Sequence, residues 1–276
     1  MNAKKSSLVV VWGNAKGGVG KSTLALHFAL QCMYEKLSVA CFDIDGDQGT
    51  LFRSIENRKQ YCQQQNLSLP VPEIVRFCPS TYSTVDMAKQ ALDACLEMHQ
   101  HVDLLVIDTQ GSDTLLGRYV HQKARVLVSP ITESPLDLDL FVNISQIQDQ
   151  SHLTLPFGSY ANMVWEQRVA KASQSKEHLE WVVVRNRVNH QISRTQVHIE
   201  KILKSLSPRI GFHLGPSIGD RCIFRELFSY GLTVMDKDGL TTLAHITARQ
   251  EIRSLTQYIL SLLKKVNTHS DIRRTT

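Results

Sequence analysis

The chain has 276 residues, 42% of them hydrophobic and 21% charged, with a formal net charge of +5. That balance fits a soluble globular chain with a sizeable core and excludes a disordered one. The positive excess is mild, so it permits a nucleic-acid-binding face without demanding one.

Six cysteines lie at positions 32, 41, 62, 78, 95 and 222, and no pair has C-x-x-C spacing, which leaves a zinc or iron–sulfur site unsupported. Cys41 and Cys78 sit in apolar runs and read as small core residues of a reducing compartment. The start, Met1 to Trp12, offers two lysines and then a short apolar run, too little for a signal peptide. No apolar run approaches the ~18 residues of a membrane span. A cytoplasmic protein with no membrane partner is expected.

The first predicted strand is Leu8–Trp12 (LVVVW). It feeds Ala15–Thr23, AKGGVGKST, which leads into a predicted helix over Lys21–Glu35. Strand, glycine-rich loop and helix together make a phosphate site. Gly17, Gly18 and Gly20 let the backbone curl, so that N–H groups, Val19's included, point inward at phosphate oxygens. Lys21 can reach the β- and γ-phosphates of ATP. The Ser22 hydroxyl can ligate Mg²⁺, and the helix, entered through Thr23, adds its positive end. The first loop position is Ala15 where the pattern has glycine. One lysine suffices for such a loop, so Lys16 needs a separate role.

The next strand, Val39–Phe42, ends in FDID and delivers Asp43 and Asp45. Their i, i+2 spacing places both on one side of an extended segment. One can face a metal and the other a water in line with the γ-phosphate. A helix over Thr50–Gln65, a strand over Ile74–Phe77 and a helix over Thr84–Gln100 follow. The strand Val102–Ile107 then runs into Asp108 (VDLLVID), an acid placed to hold Mg²⁺. Thr109, Gln110 and Gly111 come next, then a helix over Asp113–Gln122. The remaining predicted strands are Arg125–Ser129, Trp181–Arg185 and Ile210–Leu214. The remaining helices are Asp137–Gln148, Tyr160–His178, Ser193–Leu206, Gly219–Tyr230 and Thr241–Lys265. Alternating strands and helices predict an α/β fold: one mostly parallel, doubly wound sheet with helices on both faces, spanning 1–265. A polar, disordered tail is expected over 266–276.

Past the strand at Trp181, cations gather: Arg187, Arg194, Lys201, Lys204, Arg209, Arg221 and Arg225. Arg194 and Lys201 share a helix face at i, i+7. No aromatics interleave, so phosphate contact is the natural mode for any nucleic acid that this patch takes. Arg194, Lys201, Lys204, Arg209 and Arg221 are the expected contacts. Glu200 and His198 dilute the patch. In the last helix, Leu243, Ile246, Ile252, Leu255, Ile259, Leu262 and Leu263 form an apolar stripe, which reads as core packing rather than membrane attachment.

The motif KGGVGKS resembles the deviant Walker A box of the ParA/MinD family of P-loop ATPases. That resemblance implies that Lys16 crosses a dimer interface to touch the other subunit's nucleotide. It implies that Asp45, the later aspartate, orients the attacking water, and that Asp43 joins Ser22 and Asp108 around Mg²⁺. Lys16 and Asp45 are thus the expected catalytic pair. Gly111 stands where the family's D-T-P-G glycine contacts the γ-phosphate. Gln110 replaces the proline there and frees a backbone torsion, which puts the stiffness of that switch in question. Asn186, ending WVVVRN, resembles the family's adenine-reading asparagine.

VWEQR at Val164–Arg168, RIGFHLGPSIGDRCIFRELFSYGLTV at Arg209–Val234 and ARQEIR at Ala248–Arg253 narrow the resemblance to the MipZ family of ParA-like ATPases, over about Val9 to Leu263. That implies an ATP-dependent homodimer that binds DNA without sequence preference and inhibits FtsZ. It also implies a monomer recruited by a ParB-like protein, slow hydrolysis, and division-plane placement from the nucleoid. A ParA-type segregation ATPase and a metabolic P-loop ligase or kinase are the alternatives.

Overall fold

The computed structural model describes residues 6–46, 48–142, 158–175, 177–189, 191, 193–236 and 242–272, with side chains as far as Lys265. Among these residues, β1 (Leu8–Trp12), β2 (Val39–Asp43), β3 (Glu73–Arg76), β4 (Leu104–Asp108), β5 (Val126–Ile131), β6 (Glu180–Arg185) and β7 (His213–Leu214) form one sheet. Its order is β3-β2-β4-β1-β5-β6-β7, and all neighbours are parallel.

The inner strands are apolar runs because both of their faces are covered. Side chains alternate along a strand. Val10, Trp12, Leu104, Val106, Val182 and Val184 therefore face one core, while Val11, Leu105, Ile107 and Val183 face the other. The first core is closed by α1 (Lys21–Tyr34), α2 (Thr50–Gln64), α8 (Cys222–Phe228) and α9 (Leu243–Ile272). The second is closed by α3 (Val85–Met98), α4 (Leu115–Lys123), α6 (Ser159–Ser175) and α7 (Arg194–Leu206).

The crossover from β1 goes one way to β2, and the one from β4 goes back over β1 to β5. The order thus reverses at β1, and a crevice for ligands opens beyond its carboxyl end. Register puts Trp12 and Asp43 both level with Asp108, so three strand ends share one edge.

Four expected elements differ. The strand expected over Ile210–Leu214 shrinks to β7, because Ser207–Gly211 prolongs α7 as a π-helical turn. Gly211 (φ +81) ends it, with Phe212 N–H donating to Ser207 O at 3.2 Å. The helix expected from Gly219 starts at Cys222, since Gly219 pairs with Val188 as a bridge and Asp220 N–H donates to Val188 O at 2.9 Å. The helix expected over Asp137–Gln148 is one turn, α5 (Pro135–Leu138), and its remainder from 143 lies outside the described residues. Backbone helix α9 runs past Lys265 to Ile272, through much of the expected tail, and 273–276 lie outside the described residues.

The α9 stripe at Ile252, Leu255, Ile259, Leu262 and Leu263 is buried in the first core, as a packing helix requires, whereas Leu243 and Ile246 at its start are exposed. No described helix is long and apolar enough to cross a membrane. A buried ion pair ties the turn before α9 to α2. Arg58 Nη2 donates to Asp236 Oδ1 at 2.6 Å and Nη1 donates to Asp236 Oδ2 at 2.8 Å. Thr233 N–H and Oγ1 also donate to Asp236 Oδ2, at 2.7 and 2.8 Å.

Two fully buried histidines sit beside the site. His27 on α1 and His121 on α4 are each pushed down to about 4, first by burial. Unfolded, each would titrate near ~6.5. The unfolded state therefore binds the extra proton between these values, and each histidine's contribution to stability is lost as pH falls from about 6.5 to about 4. Replacing His27 by Gln removes one such group. The unfolding free energy of wild type minus that of His27→Gln, measured by urea denaturation, should fall by about 1 kcal/mol per pH unit between about pH 6 and 4.5. Comparing two proteins cancels the other titrating groups.

Candidate nucleotide site

The loop between β1 and α1 is built to take an anion. Gly18 (φ +73) and Gly20 (φ +95) hold left-handed backbone that other residues rarely adopt. A Cβ on Gly20 would also lie 2.2 Å from Asn186 Nδ2. Helix α1 begins at Lys21 with no capping side chain and no acid in its first turn, so its first N–H groups and its dipole face the loop unanswered. Lys21 Nζ curls back to Lys16 O at 3.0 Å. Burial pushes the Lys21 ammonium down, while Asp108 and then Asp45 favour its charged form.

The loop is braced from below. Buried Asn14 donates from Nδ2 to Pro130 O at 2.6 Å and accepts Lys16 N–H on Oδ1 at 3.1 Å. Tyr160 OH donates to Gly13 O at 2.7 Å, and it also meets Ser129 Oγ at 2.9 Å and His121 Nε2 at 3.1 Å. Trp181 Nε1 donates to Ser129 Oγ at 3.0 Å. His121 Nδ1 faces Gly117 O at 2.6 Å. A carbonyl only accepts, so neutral His121 carries its proton on Nδ1.

Asp43 and Asp108 end adjacent strands side by side. Asp108 is 1% exposed, and its Oδ1 has no hydrogen-bond partner among the described residues. Burial, then the neighbouring Asp43, push its carboxyl up to about 8, against a hydrogen bond from Ser22. Asp43 is fully buried and also raised by burial. Its Oδ1 accepts Asp45 N–H at 3.1 Å and its Oδ2 accepts Phe52 N–H at 2.9 Å.

An orphaned carboxylate oxygen beside a hydroxyl and a second carboxylate is a hard-oxygen donor set, as Mg²⁺ requires. Among the described residues no cluster of three or more His, Cys, Asp or Glu could by itself hold a metal. An ion here must therefore take other donors from phosphate and water, which is how Mg²⁺ normally sits with a nucleotide.

Gly111 comes up against the loop. A Cβ there would lie 2.7 Å from both Gly17 N and Gly17 Cα. A Cβ on Gly17 itself would meet nothing within 4 Å, so the outer side of the loop is open. Lys16 Nζ does not hang free, as it pairs with Oδ1 of fully buried Asp137 on α5. Asp137 Oδ2 accepts Thr132 N–H and Oγ1, each at 2.7 Å. Asn186 donates from Nδ2 to Val19 O at 2.8 Å and lines a cleft with Thr23, Leu24, Asp220 and Phe224.

The cation patch is only partly as expected. Arg194, Lys201, Lys204 and Arg209 are exposed on α7 and the turn after it. Lys204 pairs with Glu200 at 2.6 Å. Arg221 does not belong to the face: its side chain is 9% exposed and pairs with Glu251 at 2.7 Å. The reading of Arg221 as a DNA contact is therefore corrected. Charge counting missed it because Glu251 comes from a distant helix. Asn14, Asp137, Tyr160 and His121 also went unnoticed, since nothing near them in sequence marks their partners.

The chain matches the family model described as ATPase MipZ over residues 8–262. No curated protein matches it by sequence. Among solved structures it is similar to an ATP complex of McdA from Cyanothece, with TM-score 0.62 and 13% identity over 92% of this chain and 97% of that one. A plasmid partition protein of Borrelia burgdorferi bound to AMPPNP gives TM-score 0.58 and 14% identity, over 94% and 99%. Cobyrinic acid a,c-diamide synthase of Mycobacterium smegmatis, with ADP and magnesium, gives 0.56 and 14%, over 94% and 96%. At such identity these likenesses show the fold alone, and that fold serves partition proteins and a biosynthetic enzyme alike. The family match takes in the P-loop, both acidic strand ends and the α7–α8 region, and by it the chain belongs to the MipZ family of ParA/MinD-type ATPases.

Proposed function

We propose that this ATPase is an ATP-gated monomer–dimer switch that helps to place the division plane. Its slow, Mg²⁺-dependent hydrolysis resets the dimer to the monomer. The dimer binds duplex DNA of the nucleoid and inhibits FtsZ, and a ParB-like protein recruits the monomer.

The observation that carries the reading is Lys16. It sits on the rim of a phosphate loop whose outer side is open, it is not needed for the ordinary lysine role, and it is held by a carboxylate of its own chain. Leu136, beside that carboxylate, is 69% exposed. Reaching a facing subunit's γ-phosphate means exchanging Asp137 for that phosphate. A near-complete flip between monomer and dimer needs about 5.5 kcal/mol of differential binding. Two loops, each gripping a γ-phosphate with a lysine from across the interface, are a source of that size.

Within one site we assign Gly17, Gly18, Val19, Gly20, Lys21, Ser22, Thr23 and Gly111 to the phosphates and Asn186 to adenine. Ser22 and Asp108 would hold Mg²⁺, whose chemistry is to neutralise charge on the phosphates. Asp43 has both oxygens on backbone N–H groups, so its first role is to shape the loop that carries Asp45, beside the metal rather than as its main ligand. Asp45 orients the attacking water.

Light scattering after size exclusion tests the switch directly. With ATP and Mg²⁺ the wild type should double in mass. Lys21→Ala should lose nucleotide binding, and equal ATP affinity in that variant would refute the site. Lys16→Ala should bind ATP within about threefold of wild type yet stay monomeric, because only the contact across the interface is lost.

Asp45→Ala should bind ATP and dimerise but release phosphate at least about a hundredfold more slowly, as expected when a water-orienting group is removed. Unchanged turnover would move the hydrolytic role to another residue.

DNA binding should require the dimer, since two weak faces act together once joined. With the Asp45→Ala dimer, log affinity against log salt should fall with slope about −0.9 per phosphate neutralised, irrespective of sequence. Arg194→Ala should lower that slope by about one unit, whereas Arg221→Ala should change stability rather than slope. Binding of equal strength without ATP would discard the gating.

A further inference from the structure

We propose that Arg76, at the end of edge strand β3, is a positioning residue for hydrolysis, acting through the loop that carries Asp45. The proposal rests on the assignment of Asp45 to the attacking water.

The loop leaves β2 at Asp43 and enters α2 at Thr50. Several contacts set its path, among them Gly49 N–H, which donates to Asp45 O at 2.6 Å. Ile44 N–H donates to Asp108 O at 3.1 Å, which ties its start to the metal-side strand. Asp45 N–H and Phe52 N–H close on the two oxygens of Asp43. The outer side is held by Arg76, whose Nε and Nη2 donate to the Gly46 carbonyl at 3.1 and 2.7 Å. Gly46 is the residue next to Asp45, so this fork holds the loop one peptide beyond the Asp45 Cα.

The surroundings are cut to fit that fork. Gly46 has no room for a side chain, since a Cβ would lie 2.6 Å from Cys78 Cα and 2.7 Å from Phe77 O. A Cβ on Gly49, which is in left-handed backbone (φ +55), would lie 3.3 Å from Arg76 Nε. The guanidinium also lies over the Phe52 ring, 5.7 Å from its centroid. Phe52 is the residue whose N–H holds Asp43, so one cation braces both ends of the loop. A guanidinium offers several donors in a rigid plane, and a charged donor makes a stronger bond than a neutral one. Misplacing a reacting group by about 1 Å can cost about a hundredfold in rate. The clamp is thus placed to act on turnover and not on nucleotide affinity, which the P-loop supplies. Arg76 itself is exposed, on an edge strand, so its replacement leaves both cores intact.

The test is steady-state ATP hydrolysis and ATP-dependent dimerisation by full-length wild type, Arg76→Gln, Arg76→Lys, Asp45→Ala and the Arg76→Gln/Asp45→Ala double variant. Arg76→Gln should lower kcat about tenfold with KM and dimer mass within about twofold of wild type, and Arg76→Lys should restore part of the loss. The double variant should turn over no more slowly than Asp45→Ala alone, because a residue acting through Asp45 has nothing further to lose. Hydrogen exchange should quicken over 44–52 in Arg76→Gln and be unchanged in α1. Asp45→Ala that is slow while Arg76→Gln is as fast as wild type overturns the proposal, and so does a double variant slower than Asp45→Ala by the full single-variant factor. Asp45→Ala that hydrolyses at the wild-type rate overturns instead the assignment on which the proposal rests.

Discussion

Two carboxylates held side by side out of water dominate this molecule. Asp43 and Asp108 end adjacent strands in the same register, so the sheet itself presses like charges together. Desolvation raises both carboxyls, and repulsion from Asp43 raises Asp108 further. A neighbouring ammonium offsets part of the cost. Lys21 is buried for the same reason that it is useful, and its charge is maintained by the acids it faces. The site is therefore poised for a ligand that brings both a cation and several oxygens. A Mg²⁺–nucleotide does so, and it would convert the least comfortable part of the fold into a well-paired one.

The scaffold that holds this arrangement is braced by buried polar groups where it meets the loop. Beneath the loop, Trp181 Nε1 donates to Ser129 Oγ, Ser129 Oγ to Tyr160 OH and Tyr160 OH to Gly13 O, with the His121 ring packed alongside. Buried polar groups are costly unless all are satisfied, and a satisfied network permits few alternative packings. Gly13 belongs to this logic, since a Cβ there would lie 2.4 Å from His121 Nε2. On the other face, Arg58 and Asp236 fasten the approach to α9 in the same way, as a buried pair whose partners also meet backbone groups. Removing one member of such a pair typically costs about 3–5 kcal/mol.

What could be read from the chain alone was whatever is encoded in contiguous residues. The loop KGGVGKS, the strand ends FDID and VDLLVID, and the alternation of strands with helices all carry their meaning within a few positions. Glycine's backbone freedom and the two-residue period of strands make such patterns physical rather than statistical. The brace residues carry no such mark. Asn14 finds Pro130 across 116 residues, and Lys16 finds Asp137 across 121. An exposed arginine and a paired one look alike until the fold brings Glu251 to Arg221. The π-helical turn at Ser207–Gly211 escaped for a related reason: Ile210 and Phe212 are apolar enough for a strand, and only the backbone of Gly211 reveals the turn.

The central strand of the sheet is the first one to be made. Among the described residues β1 pairs with β4 and β5, in registers such as Leu8 with Leu104 and Val10 with Val126. On a ribosome, LVVVW therefore emerges with neither of its partners in existence. The first partner, β4, is complete only at Asp108, so at roughly 5–20 residues per second the wait is on the order of ten seconds. Through that interval an apolar, β-branched segment of the kind that aggregates stays unpaired. The topology that sets the phosphate loop at the middle of the sheet thus also makes the nascent chain dependent on shelter, and it favours late, concerted closure of the sheet over stepwise assembly from the amino terminus.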